Sequence, residues 1–342
     1  MRKINFKIVF FVLLVLVAGI VFFVIFKPRN NTEQITESFR QNLNVPNYFQ
    51  ETSIPIDNKI KKTDFDFPSS LSYLKQTNLE SLNTNAINKI SSNFGFGGEP
   101  ITFNDVKNGK VFIWNGDNYS LTIIPKNNSV QLVSNSGIRS LIENSGDKII
   151  SDEEMESIAF SLLTSKAEID SNNLKFVGFS YFKVQNGPEN LTKTDRNNAQ
   201  VVQLNYSEGD FKYPIITTDP DKSQISIQLL KNGYVVNLNA NLGFGFQESV
   251  NKYPLKNYQQ FSEEIGSSIL VSLNDNNVNL PDIKTSDIAN LTVEKASLVY
   301  LLDFSDQKIY QPVFLIEGTA QVTNYKNPIN ASLYLPAFDV SE

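Results

Sequence analysis

The stretch ISIQLLKNGYVVNL at residues 225–238 decides the fold class that the sequence predicts. Apolar and polar residues alternate over 225–230 and again over 234–238, which is the pattern of strands with one buried face. Between these runs, KNG at 231–233 has the composition of a tight turn. The stretch therefore predicts an antiparallel hairpin rather than a parallel crossover.

A predicted helix precedes these strands, and the same order of helix and strands recurs along the chain. Ser151 and Glu154 have the spacing of a capping box at the start of the second helix. The sequence therefore predicts an α+β fold of two or three α-β-β-β modules with antiparallel sheets. We assign a polar linker to 30–63 and the three modules to 64–148, 149–248 and 249–342.

An apolar run near the start predicts a membrane anchor. In residues 8–26 only Ala18 and Gly19 are not Leu, Ile, Val or Phe, and a helix of this length spans about 28 Å. We expect 1–29 to form a cytoplasmic tip and a single transmembrane helix in the cell membrane, with the rest extracytoplasmic, as in a bacterial envelope protein. A cleavable signal peptide is the alternative. The anchor residues singled out are Ile8, Phe11, Leu14, Val17, Val21 and Phe26.

The composition excludes several kinds of chemistry. The chain contains no His and no Cys, so it cannot form a Ser-His-Asp triad, a Cys nucleophile or an ordinary zinc site. Its net charge of −6 disfavours nucleic-acid binding. We expect no cofactor, no metal and no enzymatic activity.

Three motifs could carry chemistry, but each has a simpler interpretation. Ser-x-x-Lys occurs at 72–75 and 305–308 without the partner motifs of a penicillin-binding site. Acidic residues at 152–156 have the composition of a first helical turn, where negative charge is favoured. Asp219, Asp221 and the loop 274–277 lack the spacing of a calcium loop, so we interpret them as solvated loops.

Two similar Phe-Gly segments are candidates for the lining of a groove that binds a ligand or a partner. FGFGG at 94–98 and LGFGF at 242–246 both fall between predicted elements, and neither matches a phosphate-binding loop. Their glycines permit tight turns while the Phe side chains can reach a core. The groove hypothesis singles out Phe94, Phe96, Phe244 and Phe246.

Several C-terminal strands resemble a known family. Tyr300-Leu301-Leu302, QPVFLIEG at 311–318 and YLPAF at 334–338 look like the closing strands of PepSY-type and YycH/YycI-type extracytoplasmic modules. Tyr213-Pro214-Ile215, followed by 225–227 and the Gly233 turn, is similar as well. The resemblance implies a non-catalytic regulator that touches a membrane partner, often a sensor kinase.

The functional expectation combines these observations. We expect a membrane-anchored, extracytoplasmic, non-enzymatic regulatory protein whose sheet edges or interdomain groove bind a membrane or envelope protein. The alternative is an envelope hydrolase or a ligand-binding receptor that uses clustered carboxylates. Two carboxyl groups facing each other across a deep pocket would favour the alternative.

Overall fold

The computed structural model describes residues 54–339 except 78, 147, 185–190, 210, 219–222, 243–244, 275–282, 303–308 and 324. The strands are, in chain order, β1 (Ile56–Asn58), β2 (Ser70–Thr77), β3 (Ile101–Asp105), β4 (Gly109–Asn115), β5 (Tyr119–Ile124), β6 (Ser129–Ser134), β7 (Leu174–Val184), β8 (Leu191–Lys193), β9 (Val201–Glu208), β10 (Ile215–Thr217), β11 (Ile225–Leu230), β12 (Val235–Asn241), β13 (Gly245–Pro254), β14 (Ile269–Asn274), β15 (Ile288–Leu302), β16 (Ile309–Tyr310), β17 (Pro312–Val322) and β18 (Ile329–Pro336). The α-helices are α1 (Thr84–Asn93), α2 (Ile138–Asn144), α3 (Asp152–Ser161) and α4 (Tyr258–Glu264), and a π-helical turn at Leu162–Lys166 continues α3.

Local sequence signals determine where the helices begin. The side chain of Ser151 accepts a hydrogen bond from the backbone N–H of Glu154, and the Glu154 carboxylate accepts one from the N–H of Ser151. This reciprocal pair confirms the predicted capping box, which satisfies two otherwise unpaired donors. Asn83 caps α1 and Asn257 caps α4 in the same way through their side-chain oxygens.

The largest sheet has nine antiparallel strands in the order β3-β4-β5-β6-β12-β11-β9-β7-β8. Two antiparallel segments meet where β6 pairs with β12: β3 to β6 form one, and β7, β8, β9, β11 and β12 form the other. One face packs against α1 and α3 around side chains that include Ile90, Leu132, Ala159 and Leu238. The hairpin predicted at 225–238 is confirmed as β11 and β12, which pair in antiparallel register.

A six-stranded sheet contains the C-terminal strands, in the order β1-β15-β17-β18-β14, and β10 also pairs with β15. β1 and β10 run parallel to β15, whereas the other pairs are antiparallel. The parallel pair of Ile56 with Leu291 joins the first described strand to a strand near the end of the chain. The sheet therefore depends on pairs that are far apart in sequence.

A third sheet has the order β13-β2-β16. In it the early strand β2 pairs with β13 and β16, which come much later in the chain. Between β1 and β2, Phe65 packs its ring 4.8 Å from the ring of Phe261 in α4 and 5.3 Å from that of Phe314 in β17. These centroid distances lie in the range of favourable aromatic pairs. Residues 54–77 thus pair and pack with strands and a helix from the last third of the chain.

The predicted α+β fold is wrong. Of the described residues, 49% are in strands and 21% in helices, and they form three multi-stranded sheets with four α-helices. The prediction took each helix and its following strands as one module with its own sheet. Edge pairing between β6 and β12 instead merges strands from two predicted units, because backbone groups at the edge of a sheet pair with any strand of matching register.

The predicted single-pass membrane location is also wrong for the described part of the chain. None of its helices combines the length and the apolar composition needed to cross a membrane. The anchor residues Ile8, Phe11, Leu14, Val17, Val21 and Phe26 lie outside the described residues, as does most of the predicted linker at 30–63.

Candidate functional site

Strand β3 is an outer edge of the nine-stranded sheet and pairs only with β4. Two of its apolar side chains are exposed, Ile101 at 60% and Phe103 at 48%. Ile101 lies opposite Ile113 and Phe103 opposite Val111, so the two side chains are on the same face, two residues apart. The edge therefore presents apolar side chains beside backbone groups that no strand in the described part of the chain covers.

The sequence of β3 lacks the usual protection of an exposed edge. Natural edge strands carry Lys, Pro or inward-pointing charges that discourage pairing with another chain. β3 reads ITFND, and its one charged residue, Asp105, accepts hydrogen bonds from the backbone N–H groups of Lys107 and Asn108 in the following turn. The first four residues of the strand are uncharged and available for pairing.

The second surface is the face of the nine-stranded sheet that points away from α1 and α3, which we name the polar face. Register pairs place its side chains in two rows that cross the middle of the sheet. No row member is charged. The first row is Thr122, Gln131, Asn239, Ser226 and Asn205, and the second is Ser120, Val133, Asn237, Gln228, Gln203 and Ser180.

A chain of side-chain hydrogen bonds fixes one half of the polar face. Gln228 Nε2 donates to Gln203 Oε1 at 3.0 Å, Gln203 Nε2 donates to Asn205 Oδ1 at 2.8 Å, and Asn205 Nδ2 donates to Ser180 Oγ at 3.0 Å. Gln203 is buried, so its amide is held by these partners rather than by water. The chain gives the surface a defined pattern of donors and acceptors.

An open cleft of about 330 Å³ lies at the middle of the polar face. Its floor includes Val133, Gln228 and Asn237, and the segment that leads into α2 forms one wall. Asn135 in that wall is held by hydrogen bonds from its Nδ2 to the carbonyl of Gly116 and from Ser120 Oγ to its Oδ1. The volume is at the lower end of the range for small-molecule sites.

The predicted Phe groove residues pack against two different clusters. Phe94 and Phe96 lie against the core of the nine-stranded sheet, next to the end of α1. Phe246, in β13, packs with its ring 5.3 Å from that of Tyr310 in the three-stranded sheet. Phe244 lies outside the described residues. Leu242, at the start of the second Phe-Gly segment, packs against the same core as Phe94 and Phe96, whereas Phe246 does not, and the groove stays a prediction.

The acidic residues of 152–156 lie where a simple helical interpretation predicts. Asp152, Glu153 and Glu154 occupy the first turn of α3, and Asp152 also forms an ion pair of 2.9 Å with Arg196. Hydrogen bonds from the backbone and from Ser151 hold the pKa of Glu153 below its ordinary value. Among the described residues no three acidic side chains are grouped so as to hold a metal ion. Asp219, Asp221 and 275–277 lie outside those residues.

The Ser-x-x-Lys motif at 72–75 lies within β2. Ser72 is buried, and its backbone carbonyl accepts a hydrogen bond from the Tyr300 hydroxyl. Because side chains alternate along a strand, Ser72 and Lys75 point to opposite faces of the sheet and are not placed to act on each other. The motif at 305–308 lies outside the described residues.

One carboxyl group has an unusual environment. Glu208, at the end of β9, is buried, and its Oε2 atom has no hydrogen-bond partner in the described part of the chain. Burial raises the pKa of this carboxyl from 4.5 to about 7, because a charged carboxylate is poorly solvated there. Among the described residues no second carboxyl group contributes to this shift, so they do not form the paired arrangement of a glycosidase site around Glu208.

The sequence carries a signal for the polar face in the polar residues that alternate along its strands. In LNAN at 238–241 and in SIQ at 226–228, every second residue is Asn, Ser or Gln. This alternation was interpreted only as evidence for strands, because polar residues are expected on a solvated face. Only the register of the sheet shows that these residues line up in rows from one strand to the next.

Comparisons with known proteins assign the chain to no family. No protein-family model matches it, and no curated protein matches it. The solved structure of an uncharacterized protein from Eubacterium rectale ATCC 33656 matches with a TM-score of 0.49 and 13% identity, covering 84% of this chain and 89% of that one. The resemblance to PepSY-type and YycH/YycI-type modules therefore stays a prediction.

Proposed function

We propose that this protein is a non-enzymatic binding protein that takes up an extended segment of a partner protein at the free edge of β3. The observation that carries the proposal is the exposure of Ile101 and Phe103 on one face of an uncovered edge strand. In strand addition, the backbone of the added segment supplies hydrogen bonds and its alternate side chains supply specificity. Both elements are available at β3.

The geometry limits the kind of segment that fits. A strand paired with β3 places alternate side chains beside Ile101 and Phe103, where β-branched and aromatic residues form favourable cross-strand pairs. Because β3 has five residues, the contact buries much less than the 1,200 Å² or so of a stable interface. We therefore propose reversible binding of a short segment, as suits a regulatory contact.

The identity of the partner rests on the sequence alone. The resemblance to YycH/YycI-type modules makes a sensor kinase the first candidate. The alternative function, a hydrolase or receptor with clustered carboxylates, gains no support from Asp152 to Glu156, which lie in the first turns of α3.

Selection from a displayed library of linear peptides tests the proposal. We expect peptides with alternating apolar residues to be enriched on the full chain and to slow amide hydrogen exchange in β3. The variant I101K/F103K should lose this binding, because charges on an edge strand oppose pairing. Val250→Lys is the matched control, since Val250 is 97% exposed on β13.

Two results would contradict the proposal. One is that the enriched peptides bind I101K/F103K as well as they bind the unaltered chain. The other is protection from exchange that falls outside β3 and β4 while the amides of β3 exchange as before.

A further inference from the structure

The two rows of the polar face differ chemically from the β3 end of the same face, where the first row continues from Thr122 through Ile113 to Ile101. Over the two rows, six adjacent strands contribute Asn, Gln, Ser and Thr side chains and one Val, without a charge. In the whole chain 19% of residues are charged. A solvated sheet face needs polar residues, but it does not need to avoid charge, so solubility alone does not account for this surface.

Three side-chain amides at the centre of the polar face can still form hydrogen bonds with a ligand. Gln131 and Asn239 lie directly opposite each other, and Asn237 is two residues from Asn239 on the same face. Within the described residues, the side chains of these three have no protein hydrogen-bond partner, in contrast to the neighbouring chain from Gln228 to Ser180. Each amide offers both a donor and an acceptor.

The surroundings of these amides determine which ligand fits. The cleft has an apolar side as well as a polar one, because Val133, which is 47% exposed, lines it together with Ile138 and Val236. No cation is present in the rows to bind a phosphate or carboxylate, and no carboxylate to bind an amine. The surface therefore matches a ligand that is neutral and rich in groups that both donate and accept, and that has one apolar side to place against Val133, Ile138 and Val236.

We propose that the polar face binds a neutral oligosaccharide, with a sugar ring in the cleft beside Val133 and hydroxyl groups paired with Gln131, Asn237 and Asn239. A hydroxyl group is one donor and two acceptors, so neighbouring hydroxyls can satisfy both ends of an amide. The amide of Gln228, which is partly exposed and held in place by Gln203, extends the same pattern along the sheet and suits a ligand longer than one sugar unit. Preorganised partners reduce the ordering cost of binding.

Titration of the full chain with neutral hexasaccharides tests the proposal, using maltohexaose, cellohexaose and chitohexaose N-acetylated throughout. We expect saturable binding of at least one of them, with NMR shift changes centred on Gln131, Asn237 and Asn239. N237L/N239L should bind at least tenfold more weakly. Asn290→Leu is the matched control, because Asn290 is an exposed Asn on a strand of a different sheet.

A second variant separates loss of binding from loss of folding. Val133→Arg fills the cleft from an exposed position, so it should keep the unfolding midpoint of the unaltered chain while weakening sugar binding at least tenfold. The proposal is overturned if no neutral hexasaccharide binds, if Val133→Arg binds as well as the unaltered chain, or if a hyaluronan hexasaccharide binds as tightly as the neutral ones.

Discussion

Leu132 of β6 lies directly opposite Leu238 of β12, and both side chains are buried in the core beneath α1 and α3. The two residues lie on either side of the boundary between the two antiparallel segments of the nine-stranded sheet, where β6 pairs with β12. The same boundary also carries Gln131 opposite Asn239 on the polar face. One register therefore determines both the core of the sheet and its polar surface.

Truncation of Leu238 should destabilise the whole nine-stranded sheet. Leu238 is fully buried, and Leu238→Ala should lower the free energy of unfolding by about 2 to 5 kcal/mol, because it removes buried methyl groups and leaves a cavity. Urea denaturation followed by Trp114 fluorescence and by circular dichroism measures the loss. Coinciding transitions are expected, since both segments share this core. A change below about 1 kcal/mol would contradict the described packing.

Gly318 in β17 is required by the close approach of β15. A Cβ atom at this position would lie 2.0 Å from the carbonyl oxygen of Thr292. We expect Gly318→Ala to cost more than about 2 kcal/mol of unfolding free energy, because backbone atoms must move. Gly266→Ala is the control, since a Cβ atom there meets nothing within 4 Å. Equal thermal midpoints for the two variants would argue against the β15–β17 pairing.

Glu208 should make stability depend on pH in the direction opposite to most carboxylates. Its pKa is raised from 4.5 to about 7 in the folded protein, so the folded state holds the proton more tightly than the unfolded state. The stabilising contribution is complete below pH 4.5 and is lost as the pH rises towards 7.

The variant Glu208→Gln removes this titration. We expect it to be more stable than the unaltered chain at pH 8 by on the order of 1 to 3 kcal/mol, and to lose the fall in stability between pH 5 and 7. Urea denaturation over that pH range measures both effects. Glu143→Gln, at an exposed position on α2, is the control. An unchanged pH profile in Glu208→Gln would rule out Glu208 as the source.

Lys256 should stabilise the end of β18 by hydrogen bonds to its backbone. The ammonium group is buried and donates to the carbonyl oxygens of Pro336 at 2.7 Å and Phe338 at 2.9 Å. Lys256→Met keeps the length of the side chain but removes a donor from two carbonyl groups and an ion pair of 3.5 Å with Glu264, which should cost about 1 to 3 kcal/mol.

The comparison for Lys256 is Lys295, an exposed lysine on β15 of the six-stranded sheet. Lys295→Met breaks an ion pair with Glu317 on the surface and should change stability by less than about 1 kcal/mol. Denaturation with urea compares the two variants. Equal losses would show that burial of the Lys256 ammonium group has no special role.

Local features of the fold could be predicted from the sequence. The capping box of Ser151 and the hairpin at 225–238 both depend on residues close together in the chain, and both were predicted. Such signals act within a few residues, so they are readable without tertiary information.

Long-range pairing could not be predicted in this way. The pairs of Ile56 with Leu291 and of Leu132 with Leu238 join strands whose own sequences do not specify a partner. The α+β prediction failed at this step, because each strand could have paired within its own unit. The exposed edge of β3 and the polar face follow from the same pairing, and they were therefore not found as sites.

The early position of β1 and β2 in the chain has a consequence for synthesis on the ribosome. The nine-stranded sheet draws its strands from 101–241, so it can form while later residues are still being translated. β1 and β2 emerge before it but pair with β13, β15 and β16, which at ordinary elongation rates appear roughly ten to fifty seconds later. Throughout that interval the nascent chain carries two strands without their native partners, and these are the segments that a ribosome-associated chaperone would need to shield.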